Sequence, residues 1–484
     1  MPAAFAGVAW GILGGALPGI SPSITMALLL PFTYVMDPTP AIVMLASTYV
    51  GAEYGGSIPA ILIRTPGTNA AAATVIDGYA MKQQGKAGDA LGISLYSGFI
   101  GGLFGLIVLV LLTERLSSLA LAFTPPAYFA LGVLGLSIIV SLSRESLVKG
   151  LIAGVLGLMI ASIGTDPVTG LSRFTFDSPD LLSGIPPILV MVGLYAISEL
   201  LVQTGEPGWE KTGHESTRIR FPSRSLWRRL ALPQAIGSVI GTLEGVVPGG
   251  GGTVSAFLAY HEAHRWSRHK EEFGKGSPEG IAAPEAANNT VACTALIPML
   301  SLGIPSSNSA AVLLGGFLIH GLIPGPMLFV QHGEVVKGLY IGLFVANVAM
   351  VIVGYLLMTP CIWLVDRPKP YLMAFVYALV VSGVYSIQTS LFHVGVALGF
   401  GALGYAMRYF NVPFLPMILG VVLGFMVESN YRRSLVLSAG DHMTFVQDPI
   451  SAGLLGLAVV FVLGSLLRCY RSGRREGVLS DAGI

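Results

Sequence analysis

The chain has 484 residues, 53% apolar and only 11% charged, with a formal net charge of +1. A soluble domain carries about 25% charged residues, and mean hydropathy here is +0.73. These values exclude a soluble globular enzyme, a disordered chain and a coiled coil, and the charge offers nothing to nucleic acid. Apolar spans of ~20 residues fit this length many times over. The expected fold is therefore all-α, a polytopic membrane protein. The 62 glycines agree, because membrane helices tolerate glycine and pack closely through it. Cys293, Cys361 and Cys469 are far apart, so no Cys-x-x-Cys and no disulfide framework can be argued.

The N-terminal run MPAAFAGVAWGILGGALPG is apolar at once and has no basic leader. It reads as a mature span rather than a cleaved signal. Apolar stretches follow one another at 3–17, 22–36, 40–63, 70–76, 90–112, 118–141, 147–163 and 185–203. After a polar stretch at 204–230 come 231–260, 281–303, 309–323, 335–364, 372–388, 391–410, 414–427 and 449–467. Several are too short for a span, or are broken by Pro and Gly. Those pieces read as half-helices or re-entrant hairpins, which survive at membrane depth only where protein or water satisfies their backbone. The ~20-residue rule gives about ten to twelve crossings. Basic residues gather in three places: Lys211, Arg218, Arg220, Arg224, Arg228 and Arg229; then Arg265, Arg268, Lys270 and Lys275; then Arg468, Arg471, Arg474 and Arg475. The positive-inside rule puts all three in the cytoplasm.

The chain repeats itself. IPAILIRTPGTNAAAA from Ile58 and IPMLSLGIPSSNSAAV from Ile297 match at an offset of 239. Leu17-Pro18-Gly19 is echoed by Val247-Pro248-Gly249, Ser146-Leu147 by Ser390-Leu391, and the Pro187 to Glu199 spacing by Pro416 to Glu428. Four matches in one order argue for two homologous halves. The division is a first repeat over 1–204, a basic cytoplasmic linker over 205–230, a second repeat over 231–470 and a tail over 471–484. Whether the halves are inverted or parallel stays open, since transporters use both.

In each half an apolar segment runs into a proline, Pro66 or Pro305. The residue before proline is pushed out of the α region, so the helix must break. Small polar residues follow: Gly67, Thr68 and Asn69 in one half, and Ser306, Ser307, Asn308 and Ser309 in the other. A helix then restarts, over Ala70–Ile76 or Ala310–Phe317. Its free N–H groups and dipole make an anion site at membrane depth. The Asn oxygens and the carbonyls of the break suit a cation such as Na⁺. Two such tips facing each other would form a midplane pocket for a carboxylate. The competing structural reading is a pair of proline-kinked, satisfied helices.

A second repeated element is Pro18-Gly19-Ile20-Ser21 and Pro248-Gly249-Gly250-Gly251-Gly252. Gly19, Ser21, Gly249 and Gly250 let a ligand or another backbone approach closely. The second copy lacks the Lys of a phosphate loop. Ionisable residues inside apolar segments are functional candidates because burying them is costly. Glu53 and Arg64 flank the first break, and Arg64 suits either a substrate carboxylate or Glu53. Glu285, Asn288 and Asn289 lead into the second, where they place amide oxygens near a cation or donors near an anion. Glu199 and Glu428 end spans and are expected to snorkel; Asp77 reads as a loop or cap residue. The spacing of His261, Glu262 and His264 is not the HExxH of zinc peptidases, and no Ser/His/Asp arrangement emerges. Neither a metal, a cofactor nor a catalytic residue is expected, and the chain does not read as an enzyme.

The motifs GALPGISPSITMALLLPFTYVMDP, YGGSIPAILIRTPGT, TVIDGYAMKQQGKAGDAL, EGIAAPEAANNTVA, IPMLSLGIP and GLIPGP together resemble the large membrane subunit of the tripartite tricarboxylate transporters. The resemblance runs from about residue 5 to about residue 465. It implies a multi-pass protein of the bacterial inner membrane, a small membrane subunit as partner and a periplasmic solute-binding protein that delivers a carboxylate. It also implies uptake driven by an ion gradient, Na⁺ or H⁺, rather than by ATP. The chain departs from that family's pattern at Arg64, Asn69, Ser306 and Asn308, and the family has one more apolar stretch before the first PG motif. The alternatives are a carrier acting alone and, further off, an intramembrane enzyme.

Overall fold

The computed structural model describes residues 1–120, 122–142, 147–166, 170–205, 218–247, 251–365 and 369–481. The chain runs α1 (Pro2–Gly15), α2 (Pro22–Thr33), α3 (Pro38–Gly55), α4 (Ser57–Ile63), α5 (Ala72–Gln83), α6 (Ala87–Ala120), α7 (Pro125–Leu142) and α8 (Leu147–Ala161). A minimal antiparallel pair, β1 (Gly164–Thr165) and β2 (Ser172–Arg173), precedes α9 (Pro187–Met191). The π-helical stretch Val192–Ile197 carries α9 into α10 (Ser198–Gly205). Next come α11 (Arg224–Val246), α12 (Gly251–Trp266), α13 (Pro278–Thr294), α14 (Leu296–Leu302), α15 (Asn308–Ile319), α16 (Pro326–Gln331), α17 (Gly333–Leu356) and α18 (Met358–Val365). The chain closes with α19 (Lys369–Gln388), α20 (Leu391–Tyr409), α21 (Phe414–Leu437), α22 (Thr444–Gln447) and α23 (Pro449–Asp481). Many of these helices open on proline, whose missing N–H costs nothing in a first turn. Ser21 and Ser277 cap α2 and α13 through their side chains.

The described residues are all-α apart from that strand pair. Among the described residues five helical stretches are long and apolar enough to cross a membrane: Ala87–Ser118, Pro187–Gly205, Gly333–Leu356, Leu391–Tyr409 and Phe414–Leu437. Others are apolar but shorter, α1, α2, α8 and α15 among them. At 1.5 Å per residue such helices rise about 18–23 Å, short of the ~30 Å hydrocarbon core. They are the broken pieces that the Pro and Gly punctuation predicts. Boundaries differ from the sequence reading at two places. Helix α11 already begins at Arg224, so Arg224, Arg228 and Arg229 ride on its first turns, and α23 runs past 470 to Asp481.

The chain forms two compact units, Met1–Leu121 with Met191–Tyr405, and Ala122–Val190 with Ala406–Ile484. In the first, α1 lies on α3 through glycine. A Cβ added at Gly7, Gly11 or Gly15 would fall 2.3 Å from the carbonyl oxygens of Met44, Thr48 and Ala52 respectively. No side chain fits, so the two backbones touch, as small residues four apart allow. Helix α11 sits on α13 in the same way: a Cβ at Gly237 or Gly241 would lie 2.2 Å and 2.4 Å from the carbonyls of Ala283 and Ala287, and one at Gly245 2.0 Å from Thr294 Oγ1. These three glycines stand 230 residues after Gly7, Gly11 and Gly15. Helix α6 also packs on α13, where Gly101 and Gly105 meet the backbone of Ala286 and Thr290.

Asp77, on α5, is wholly buried. Its Oδ1 accepts the N–H groups of Gly276 and Ser277 at 2.8 Å each, and its Oδ2 accepts the Tyr260 hydroxyl at 2.9 Å. It is thus a cap, but for the start of α13 rather than for its own segment. Asp77→Ala is expected to strand three donors and, at about 1 kcal/mol per hydrogen bond, to cost about 3 kcal/mol; thermal unfolding of the purified protein in detergent measures this.

In the second unit, Gly157 of α8 meets the Met417 carbonyl and Gly420 of α21 meets that of Gly154. Glu428 takes part in an ion-pair network. It accepts Arg173 at 2.6 and 3.2 Å and Arg432 at 2.7 Å, while Arg432 also holds Asp166 at 2.7 and 2.9 Å. This network fastens the β1–β2 pair to α21.

Candidate functional site

Twice in the first unit a helix, a kink, a seven-residue helix, a break and a twelve-residue helix follow one another: α3, α4 and α5, then α13, α14 and α15. Helix α4 ends at Arg64 with φ +59°, and α14 ends at Gly303, 239 residues later, with φ +75°. Both chains therefore turn through the left-handed region just before their proline. Glycine does this without strain; arginine does not.

The two tips are seated alike. Gly67 donates its N–H to the Gly56 carbonyl at 3.0 Å, and a Cβ there would fall 2.0 Å from the carbonyl oxygen of Gly15. Ser306, at the matching position, donates its hydroxyl to the Gly245 carbonyl at 2.7 Å and reaches that of Ala295 at 3.3 Å. So each tip rests on the end of α1 or α11 and on the kink of its own half. The restart positions differ from the expected ones. Helix α5 begins at Ala72, because Thr68 closes a turn by accepting the Ala71 N–H at 3.3 Å through its hydroxyl and 3.1 Å through its carbonyl. Helix α15 begins at Asn308, with Ser307 as its cap on the Ala310 N–H at 3.1 Å. Asn69 and Asn308 are both exposed, whereas Thr68, Pro305, Ser306 and Ser309 are buried and Pro66 and Ser307 half-buried.

Side chains lead from the second tip toward the first. From the side of the second tip, Ser307 Oγ lies 3.5 Å from the Tyr49 hydroxyl on α3. One turn along the same face of α3 stands Glu53, which accepts the Asn288 amide of α13 at 2.9 Å. Asn288 Oδ1 points the other way, 2.4 Å from a Cβ built at Gly252 of α12, and that Cβ would also lie 3.4 Å from Ala70 beside the first tip. Tyr49 and Asn288 stand 239 residues apart. Glu53 is 6% and Glu285 1% exposed. Glu285 Oε1 accepts the hydroxyls of Ser57 on α4 and Thr74 on α5, both at 2.5 Å. Asn289 turns back and donates to the Glu285 carbonyl at 3.0 Å.

Two sequence expectations need correction. Arg64 does not pair with Glu53. It is exposed, with its guanidinium 5.9 Å from the Tyr79 ring centroid, because its left-handed backbone turns the side chain away from α3. Glu199 does not snorkel: it is buried, accepts the Gln203 amide at 2.8 Å, and with Gln203 fills the space where Gly19 lacks a side chain. Gly19 has φ +83°. Ser21, half-buried, caps α2 on the Ile24 N–H and bonds Ser23, so its hydroxyl is engaged in the fold. Gly249 and Gly250 lie outside the described residues. Tyr49, Ser57 and Thr74 were not singled out by sequence, although Gly252 lay in the second repeated element; the offset of 239 from Tyr49 to Asn288 was the available signal.

A nearly all-helical chain with, among the described residues, five helices long and apolar enough to cross a membrane, and with interrupted helices and buried carboxylates between them, has the make-up of a multi-pass membrane protein. The model of the tripartite tricarboxylate transporter TctA family matches residues 1–419, and the chain belongs to that family. It is 37% identical over 472 residues to an uncharacterized 52.8 kDa protein in the TAR-I ttuC' 3'region of Agrobacterium vitis, covering 97% of this chain and 94% of that one. It is also 36% identical over 243 residues to an uncharacterized protein in the TAR-II ttuC' 3'region of Agrobacterium vitis, which covers 50% of this chain and 100% of that one. No solved structure matches the chain.

Proposed function

We propose that the chain is the large permease subunit of a bacterial inner-membrane system that takes up an organic carboxylate and is driven by a cation gradient. It acts with a small membrane subunit and a periplasmic solute-binding protein, and performs no chemistry of its own. Two homologous halves build the site. The matched lengths of α4 with α14 and α5 with α15, and the glycine seams 230 residues apart, support that repeat.

The observation that carries the proposal is the run of side chains from Ser307 through Tyr49 and Glu53 to Asn288, whose Oδ1 faces Gly252 on the side of Ala70 and the first tip. It supports a reading in which helix starts from both halves serve one anion. The exposed Asn69 and Asn308 are the side chains free to meet cargo, and Arg64 adds a cation on the rim of the first break. Alternating access then moves one group of helices against another about this site.

Reconstitution tests the reading. Uptake of a ¹⁴C-carboxylate into proteoliposomes containing both membrane subunits should depend on added binding protein and on an imposed cation gradient. Binder-independent uptake would favour a carrier acting alone. Asn69→Ala and Asn308→Ala are each expected to lower uptake at least about tenfold with normal membrane insertion, an interaction loss of ~1.4 kcal/mol. Wild-type rates in either variant would remove that residue from the site.

A further inference from the structure

Glu285 is a buried carboxyl group with no basic side chain beside it. Both oxygens are inside the protein. Oε1 is held by Ser57 and Thr74, and Oε2 has no hydrogen-bond partner. Around it the oxygens outnumber the donors. Ser94 on α6 faces the carboxylate without a well-aligned hydrogen bond, and its hydroxyl is otherwise unpartnered. Asn289 stands one turn beyond Glu285 on α13, as Gly98 stands one turn beyond Ser94 on α6. Gly98 has no side chain, and a Cβ there would lie 2.8 Å from Asn289 Nδ2. The Asn289 amide thereby lies in the same seam with its Oδ1 unpartnered. Ser57, Thr74, Ser94, Glu285 and Asn289 are each at most 1% exposed. Among the described residues, every lysine, arginine or histidine ion pair lies elsewhere.

We infer that Glu285, Ser57, Thr74, Ser94 and Asn289 form a Na⁺ site sealed between α4, α5, α6 and α13. An uncompensated carboxylate at this depth is too costly to persist. One carboxylate among neutral oxygens balances a single positive charge, so a divalent ion would leave charge in excess. Hard oxygen ligands select alkali and alkaline-earth cations over transition metals. The five side chains offer only hydroxyl and amide oxygens beside one carboxylate, and the smaller Na⁺ is expected ahead of K⁺. A proton on Oε2 would also neutralise the carboxylate, whereas a metal ion engages several oxygens at once, and a titration with Na⁺ at fixed pH separates the two. The ligands come from both hairpin regions: Ser57 and Thr74 from the first, Glu285 and Asn289 from the helix leading into the second. Filling the site thus ties the two together. The cation-coupled reading above supplies the site's purpose; its existence rests on these oxygens alone.

The test is thermal unfolding of the full chain in detergent at fixed pH, with NaCl titrated against choline chloride at constant ionic strength. The midpoint should rise and saturate with Na⁺, with a weaker response to K⁺. Glu285→Gln should abolish the Na⁺-dependent rise. Thr74→Val and Ser94→Ala, which keep the volume nearly constant, should raise the half-saturating Na⁺ concentration about tenfold or more, and they carry the test if Glu285→Gln does not fold. An equal Na⁺ response in wild type and all three variants would overturn the site. So would no Na⁺ response, or a stability that follows acidity alone. No carboxylate is present, so Na⁺ binding without carboxylate uptake would sink the transport reading and leave the site standing. Carboxylate uptake without Na⁺ binding would do the reverse.

Discussion

Glu53→Gln is expected to abolish cation-driven uptake while leaving the protein as stable as wild type or more so. The amide oxygen of the new side chain can still accept the Asn288 amide, now at 2.9 Å from the carboxylate. Only the charge disappears, and replacing a buried charge by a neutral group of the same shape is often neutral or stabilising. Asn288→Ala is the opposite case. It keeps the charge and removes its donor, leaving a buried carboxylate short of a hydrogen bond at a cost of about 1–3 kcal/mol or more. Uptake should fall about 100-fold, because the link between the tips is lost and misplacement of ~1 Å has that effect. Transport in proteoliposomes, with unfolding followed in parallel, separates the two. Normal uptake in Glu53→Gln would take Glu53 out of the mechanism. Unchanged stability in Asn288→Ala would mean that the pair is not as buried as it stands here.

Gly67→Ala is expected to cost about 1–3 kcal/mol through overpacking and to cut uptake severely. Its new methyl would lie 2.0 Å from the Gly15 carbonyl oxygen and 2.8 Å from Gly56 Cα. Both neighbours are backbone, so the tip itself must move. Ser306→Gly probes the same place in the other half, with the opposite sense. It removes hydrogen bonds to the Gly245 and Ala295 carbonyls, about 1 kcal/mol, and opens space without a clash. The first variant should therefore be the worse by a wide margin in both melting temperature and uptake. Equal, mild effects would mean that the two tips are not seated as described.

The class of protein was legible without any coordinates. With 11% of its residues charged, the chain has too little polar surface for water. The broken helices were legible too, because the constraint that Pro66 and Pro305 put on the residue before them acts locally. The same local logic explains the small errors. Thr68 and Ser307 both offer hydroxyl caps, but one closes a turn before α5 and the other starts α15 directly. That choice depends on how Gly67 and Ser306 seat against their neighbours, which pattern reading does not see.

Which ionisable group meets which was a different matter. Glu53 and Arg64 are eleven positions apart and oppositely charged, and in sequence they look like partners. A left-handed turn at Arg64 sends its side chain to Tyr79, while α13 brings Asn288 to Glu53 from 235 residues away. Glu285 was visible as a buried acid, but not its oxygens from α4, α5 and α6. What the amino-acid order determined by itself was the solvent the chain lives in, the places where helices must stop and the repeated tips, since each follows from the chemistry of a residue and its near neighbours. What only the tertiary structure decided was the pairing across the glycine seams. There, backbones touch because side chains are missing, and the helices so joined choose which buried charges face one another.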